Sequence, residues 1–317
     1  MEINPRALRH HSARTKDGVT IHFVTAGNPD GPPVLFVHGI SQSWQSWQKQ
    51  LDDELLGAQL RLIALDLRGH GASQGARSQD ASLAPLPPDR YNDGSPGDVA
   101  RLWASDIEAV VDACNLSNVT LVGWSYGGAV VLDYLHVNRG LGAAGKVVLV
   151  ATTPVLQPPG TPHVGADSIF TPRAVTALMR TTPADFSRTP PRKNEPDDIA
   201  QGLHAYLEAC LDDGTGQPMP TASEVAAMAS FNLLVDPSVR LSVMARAFDY
   251  RDFLASLPPS TLEKITAVTP LADRVLQSAR TRTLWPSGLT QVLFERQGHL
   301  CFWRSPDDLR RILLHAV

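Results

Sequence analysis

The chain has 317 residues, 43% hydrophobic and 19% charged, the composition of a folded globular protein with room for one large domain or a core carrying an insertion. A formal net charge of -4, with both signs spread along the chain, leaves no basic stripe for phosphates, so a nucleic-acid partner is not expected. Three scattered cysteines without CxxC spacing, ten histidines without an HExxH or HxxxH pair, and no apolar run near the roughly 20 residues of a membrane helix argue against a disulfide framework, a metal centre and a membrane span.

The N-terminus, Met1 to Thr20, is polar and lacks a signal-peptide core, so an intracellular, cytoplasmic protein working on a small molecule is expected. The first β-rich run is Val19 to Thr25, and the second, Val34 to Val37, ends in His38-Gly39-Ile40. Leu60 to Leu65 follows and leads into Asp66-Leu67-Arg68-Gly69-His70-Gly71-Ala72-Ser73. The irregular stretch Ser73 to Gly97, with Pro85, Pro87, Pro88 and Asn92-Asp93-Gly94, predicts a surface loop. An amphipathic helix is predicted over Val99 to Cys114, then a strand over Val119 to Val122 and a helix over Tyr126 to Val137. Between that strand and helix lies Gly123-Trp124-Ser125-Tyr126-Gly127-Gly128. GxSxG alone is a short pattern that a chance loop can supply, but at a strand-to-helix turn it is a nucleophile elbow, which projects the serine hydroxyl clear of the sheet. The helix start behind it favours developing negative charge.

Another strand is predicted over Lys146 to Val150, and then the βα rhythm stops. Residues Thr153 to Ser260 hold helical patterns at Thr171 to Thr181, Asp197 to Leu211, Ala222 to Leu234 and Ser238 to Leu257, with Pro-rich spacers and no clear strand. So long an interruption reads as an inserted helical cap, dividing the chain into core residues 1–152, cap 153–260 and core 261–317. The rhythm resumes with Ile265 to Val268, whose following loop holds Asp273, and Gln291 to Phe294, followed by Gln297-Gly298-His299 and a helix over Pro306 to His315. The apolar runs without alternation predict strands covered on both faces: an α/β fold with a mostly parallel central sheet flanked by helices.

A serine hydroxyl needs a base at neutral pH, and of the ten histidines only His299 sits on a loop placed to serve Ser125. His38, beside a tight turn, reads as a brace between loops. Asp273 completes the order Ser, Asp, His, although an aspartate there also reads as the N-cap of a helix starting at Arg274. Asp249, Asp236 and Asp167 are weaker candidates for the acid.

Val-His-Gly after one strand, the Asp66 to Ser73 segment after the next, Gly-Trp-Ser-Tyr-Gly-Gly, and a late Gly-His together resemble the α/β-hydrolase family, particularly its esterase and cofactor-free perhydrolase-like members. The resemblance runs from about Val19 to the C-terminus and is weakest in the cap. It implies Ser125 as nucleophile, His299 as base and Asp273 as acid, with the main-chain amides of Ile40 and Tyr126 as the oxyanion hole. Gly39, Trp124 and Leu300 border that site and are expected against substrate. Two departures stand out. Thr269-Pro270-Leu271-Ala272 replaces the family's usual Gly and Asp before the acid, and Cys301 and Arg304 replace the usual Pro and Glu after Gly-His. Relatives resembling epoxide hydrolases attack through a carboxylate, so a serine at the elbow points instead to acyl transfer. The expected activity is hydrolysis of an apolar carboxylic ester or lactone without cofactor. Acyl transfer or perhydrolysis by the same triad, and a slow, receptor-like ligand binder, are the alternatives.

Overall fold

The computed structural model describes residues 7–74, 98–156, 169–181, 184–185, 192–193, 196–212, 221–233, 235, 239–240, 243 and 246–316. The predicted loop at Ser73 to Gly97 lies almost wholly outside these residues, as do Asp167 and Asp236.

Eight strands form one sheet: β1 (Arg9–Arg14), β2 (Thr20–Gly27), β3 (Pro33–Val37), β4 (Arg61–Leu65), β5 (Val119–Trp124), β6 (Ala144–Val150), β7 (Ile265–Pro270) and β8 (Thr290–Phe294). Their spatial order is β1-β2-β4-β3-β5-β6-β7-β8, antiparallel at β1, β2 and β4 and parallel from β4 through β3 to β8. The unbroken apolar runs have the burial they predict. Along β3, Leu35 and Val37 enter the core on one face and Val34 and Phe36 the core on the other, all fully buried.

The main helices are α1 (Asp98–Ala113), α2 (Tyr126–Val137), α3 (Pro172–Arg180), α4 (Pro196–Leu211), α5 (Ala222–Leu233) and α6 (Pro306–Ala316). Helix α2 is buried along almost its whole length under the sheet, which explains its lack of a polar face. Helices α3, α4 and α5 occupy the stretch between β6 and β7, and α3 packs on α4.

That stretch also departs from its expected all-helical character. Val155–Leu156 pairs antiparallel with Phe248–Asp249, so no helix runs unbroken over Ser238 to Leu257; Val239, Arg240 and Val243 are helical, and a separate short helix begins at Arg251. The pairing is secured by the Tyr250 amide, which donates to the Pro154 carbonyl at 2.9 Å, and by Phe248 stacked on Tyr250. A second two-residue pair joins Ala184–Asp185 to Arg192–Lys193. Among the described residues, no helix is long and apolar enough to cross a membrane.

Candidate active site

Parallel strands gather the chemistry at one edge of the sheet, because the loops leaving β3, β5, β7 and β8 all emerge at the strands' C-terminal ends. Val37 pairs with Gly123, so the turn after β3 lies directly beside the turn after β5.

Ser125 occupies that second turn with φ 52° and ψ -119°, a left-handed conformation that costs a non-glycine residue energy and persists only where neighbours enforce it. The enforcement is tight packing. A Cβ on Gly127 would lie 2.3 Å from the Val37 carbonyl oxygen, and one on Gly39 would lie 3.0 Å from the Trp124 ring and 3.3 Å from the Ser125 Cβ. Only hydrogen fits at Gly127, and a side chain at Gly39 would press on the elbow, so the β3 turn closes tightly onto it.

Across the rim, His299 is fully buried, and its Nε2 accepts a hydrogen bond from the Ser125 Oγ at 2.9 Å. Its Nδ1–H donates to Asp273 Oδ2 at 2.8 Å. The other Asp273 oxygen accepts the Val275 and Leu276 amides at 2.7 and 2.9 Å. The carboxylate is thus spent on holding one loop and one imidazole, which fixes the tautomer with Nε2 toward the serine.

Asp273 does not cap a helix starting at Arg274. Leu276 instead bridges to Phe170, and the Thr171 amide donates to the Val275 carbonyl, so the chain stays extended until a helical turn begins at Ser278. Asp249 is exposed and paired with Arg251.

The Tyr126 amide opens α2, where a helix has no internal acceptor for its first N–H groups. Among the described residues, no turn or loop hydrogen bond engages the amide of Ile40 or of Tyr126. Two buried histidines stiffen the loop bearing Ile40. His38 donates from Nδ1 to the Gly39 carbonyl at 2.8 Å and accepts the Leu67 amide at Nε2 at 3.0 Å. His70 donates from Nδ1 to the Arg68 carbonyl and accepts the Ser41 amide at Nε2. Burial pushes both imidazoles toward the neutral form, with His70 lowered to about 3 as the neighbouring His38 adds to the effect. Asp66 anchors the same loop by accepting the Trp44 and Ala72 amides at 2.8 and 3.0 Å. His38 is thus a brace, as its position beside the turn implies. The Asp66 to Ser73 segment entered the sequence reading only as part of the family resemblance, without the bracing roles of His70 and Asp66.

Trp124 and Leu300, expected against substrate, are both buried beside the site. Trp124 is 2% exposed, and its indole N–H donates to the His299 carbonyl at 3.0 Å while the ring packs on Phe302. Leu300 is 1% exposed, and its amide donates to the Cys210 carbonyl on α4. Both are thus bonded into the packing around the histidine loop. Trp47, stacked on Phe302 at 4.2 Å, belongs to the same packed layer. Cys301 and Cys210 are buried, and burial pushes both thiols up, away from thiolate chemistry. Among the described residues, no cluster of three or more His, Cys, Asp or Glu is arranged to hold a metal.

Known proteins carry the same framework. Epoxide hydrolase B of Mycobacterium tuberculosis is 32% identical over 149 residues, 46% of this chain but only 37% of that protein. Two solved structures match almost end to end. An esterase from Rhodococcus sp. ECU1013 has a TM-score of 0.71 and 26% identity, covering 97% of this chain and 99% of its own. A Burkholderia cenocepacia protein assigned as an aryl esterase has a TM-score of 0.69 and 25% identity, covering 96% of each chain. The model of the alpha/beta hydrolase family matches residues 34–312, from the strand before His38 to the last helix, and the chain belongs to that family.

Proposed function

We propose that the protein is a serine hydrolase that cleaves a carboxylic ester or lactone through an acyl-enzyme. The observation that carries this reading is the hydrogen-bonded line Asp273–His299–Ser125, ending on a serine held at positive φ. The esterase neighbours support it. The epoxide hydrolase relatives favour hydrolysis more broadly, and the hydroxyl that Ser125 offers at the elbow favours acyl transfer.

In the proposed reaction, Ser125 Oγ attacks the substrate carbonyl carbon and its proton passes to His299 Nε2. The carbonyl oxygen becomes an oxyanion that accepts hydrogen bonds from the Ile40 and Tyr126 amides. As the tetrahedral adduct collapses, the imidazolium protonates the departing alkoxide and leaves an acyl-serine. Water then attacks, giving a proton to Nε2, and the second adduct returns that proton to Ser125 as the acid leaves. Asp273 stabilises the imidazolium in both halves without itself being protonated.

Residues 153–260 act in this account as a cap that selects the substrate, while core residues 1–152 and 261–317 carry the triad. Steady turnover of p-nitrophenyl esters of varied acyl length is the expected result. A single slow burst without turnover would favour a receptor-like role.

A further inference from the structure

The segment between β6 and β7 touches every catalytic loop. Thr171 bonds the acid loop through Val275, Cys210 bonds the base loop through Leu300, and Arg246 reaches the nucleophile helix. Arg246 is 5% exposed and lies two residues before Phe248, in a stretch tied down by the pairing with Val155–Leu156. Its Nη1 donates to the Tyr126 hydroxyl oxygen at 3.1 Å, and its Nη2 donates to the Asp133 carboxylate. The Tyr250 hydroxyl donates to the same carboxylate oxygen, and the guanidinium also lies 5.7 Å from the Tyr126 ring centre.

Tyr126 and Asp133 stand two turns apart on one face of α2, so a single rigid guanidinium spans that face from its first residue onward. Burial opposes the Arg246 charge, but Asp133 and the two tyrosines outweigh it and keep the group cationic. A buried ion pair is a poor device for stability alone, because apolar residues of similar volume often serve as well. Its use here is geometric. The peptide carrying the Tyr126 amide turns with α2 as one unit, because its own carbonyl, on Ser125, accepts the Gly128 amide at 2.9 Å, so whatever seats α2 also aims that amide.

We propose that Arg246 is a positioning residue for the oxyanion hole: by clamping the Tyr126 and Asp133 face of α2 to the inserted segment it seats the helix and with it the Tyr126 amide. This inference rests on the serine-hydrolase reading. The inserted segment thereby completes the catalytic site as well as covering it.

The test is a double-mutant cycle on Tyr126→Phe and Arg246→Met, read by kcat and KM on a p-nitrophenyl ester, by affinity for an aryl trifluoromethyl ketone, and by Tm. The ketone's adduct places its oxygen in the oxyanion hole, so its affinity reports amide direction. Arg246→Met is expected to lower kcat about 10- to 100-fold, with ketone affinity falling in step and KM within about twofold. Tyr126→Phe keeps the ring and should cost less, and adding Arg246→Met to it should then cost clearly less than in the unmutated chain. Additive losses, or a fall in Tm with kcat and ketone affinity unchanged, would overturn the proposal. Should Arg246→Met not fold, Tyr126→Phe decides alone: unmutated kcat and ketone affinity overturn it, and a matched fall in both supports it. Failure of the underlying reading shows separately, as an unmutated chain that does not react at Ser125.

Discussion

His70 makes the protein acid-sensitive by an amount that follows from its burial. In the folded chain its pKa is pushed down to about 3 from 6.5, so below pH 6.5 the unfolded chain binds a proton that the folded one refuses. Stability is therefore intact above pH 6.5 and is lost progressively as pH falls toward 3. At pH 4 the unfolded histidine is almost fully protonated and the folded one still mostly neutral, a loss of about 3 kcal/mol. Asp106 and Asp133 work in the opposite direction, since burial holds their carboxyls up, Asp106 at about 6, whereas the lowered His38 and Asp66 add to the loss, so the unmutated profile alone mixes several groups. His70→Gln isolates the histidine. The variant should be less stable at pH 7, because the Ser41 amide loses its acceptor, but its fall from pH 7 to pH 4 should be shallower by about 3 kcal/mol. Urea titrations followed by tryptophan fluorescence at several pH values give both numbers. If the variant and the unmutated chain lose stability in parallel, His70 is not held neutral and the loop brace is misread.

Asp273→Asn keeps an oxygen for the Val275 and Leu276 amides but turns an N–H toward His299, so kcat should fall about 10²- to 10⁴-fold with a near-normal Tm. Asp249→Asn, exposed and paired with Arg251, should leave kcat within about twofold, and the reverse ranking would put the acid elsewhere. Gly127→Ala would drive a methyl against the Val37 carbonyl, which the sheet prevents from moving, so a loss of at least ~3 kcal/mol in chemical denaturation is expected. A Gly127→Ala protein with unmutated stability would mean that the elbow is looser than described.

The core strands were legible because both their faces are covered: β3 and β5 are apolar at nearly every position, and the motif turns follow directly from their ends. Strand β1 was not, since Arg9–Arg14 is polar and buries only Ala13 while pairing along the edge of β2. The Phe248–Asp249 strand depends on a partner almost a hundred residues earlier in the chain, which no local period reveals. Topology placed Asp273 on the loop that meets His299, but no helix starts at Arg274 for it to cap, because Phe170 draws Leu276 into a bridge. Trp124 and Leu300 were assigned to substrate for their closeness to Ser125 and His299 in sequence, whereas the bonds that bury them, to the His299 and Cys210 carbonyls, exist only in the folded chain. His70 and Arg246 act through contacts that exist only once the chain has folded.

Reaction of the purified protein with a fluorophosphonate, followed by mass spectrometry of the digested adduct, tests the central claim most directly, because only an activated hydroxyl reacts at an appreciable rate. The account predicts one phosphonyl group per chain, carried on Ser125, with ester turnover lost in proportion and no labelling in Ser125→Ala. Labelling of a different residue, or full ester turnover in Ser125→Ala, would contradict it.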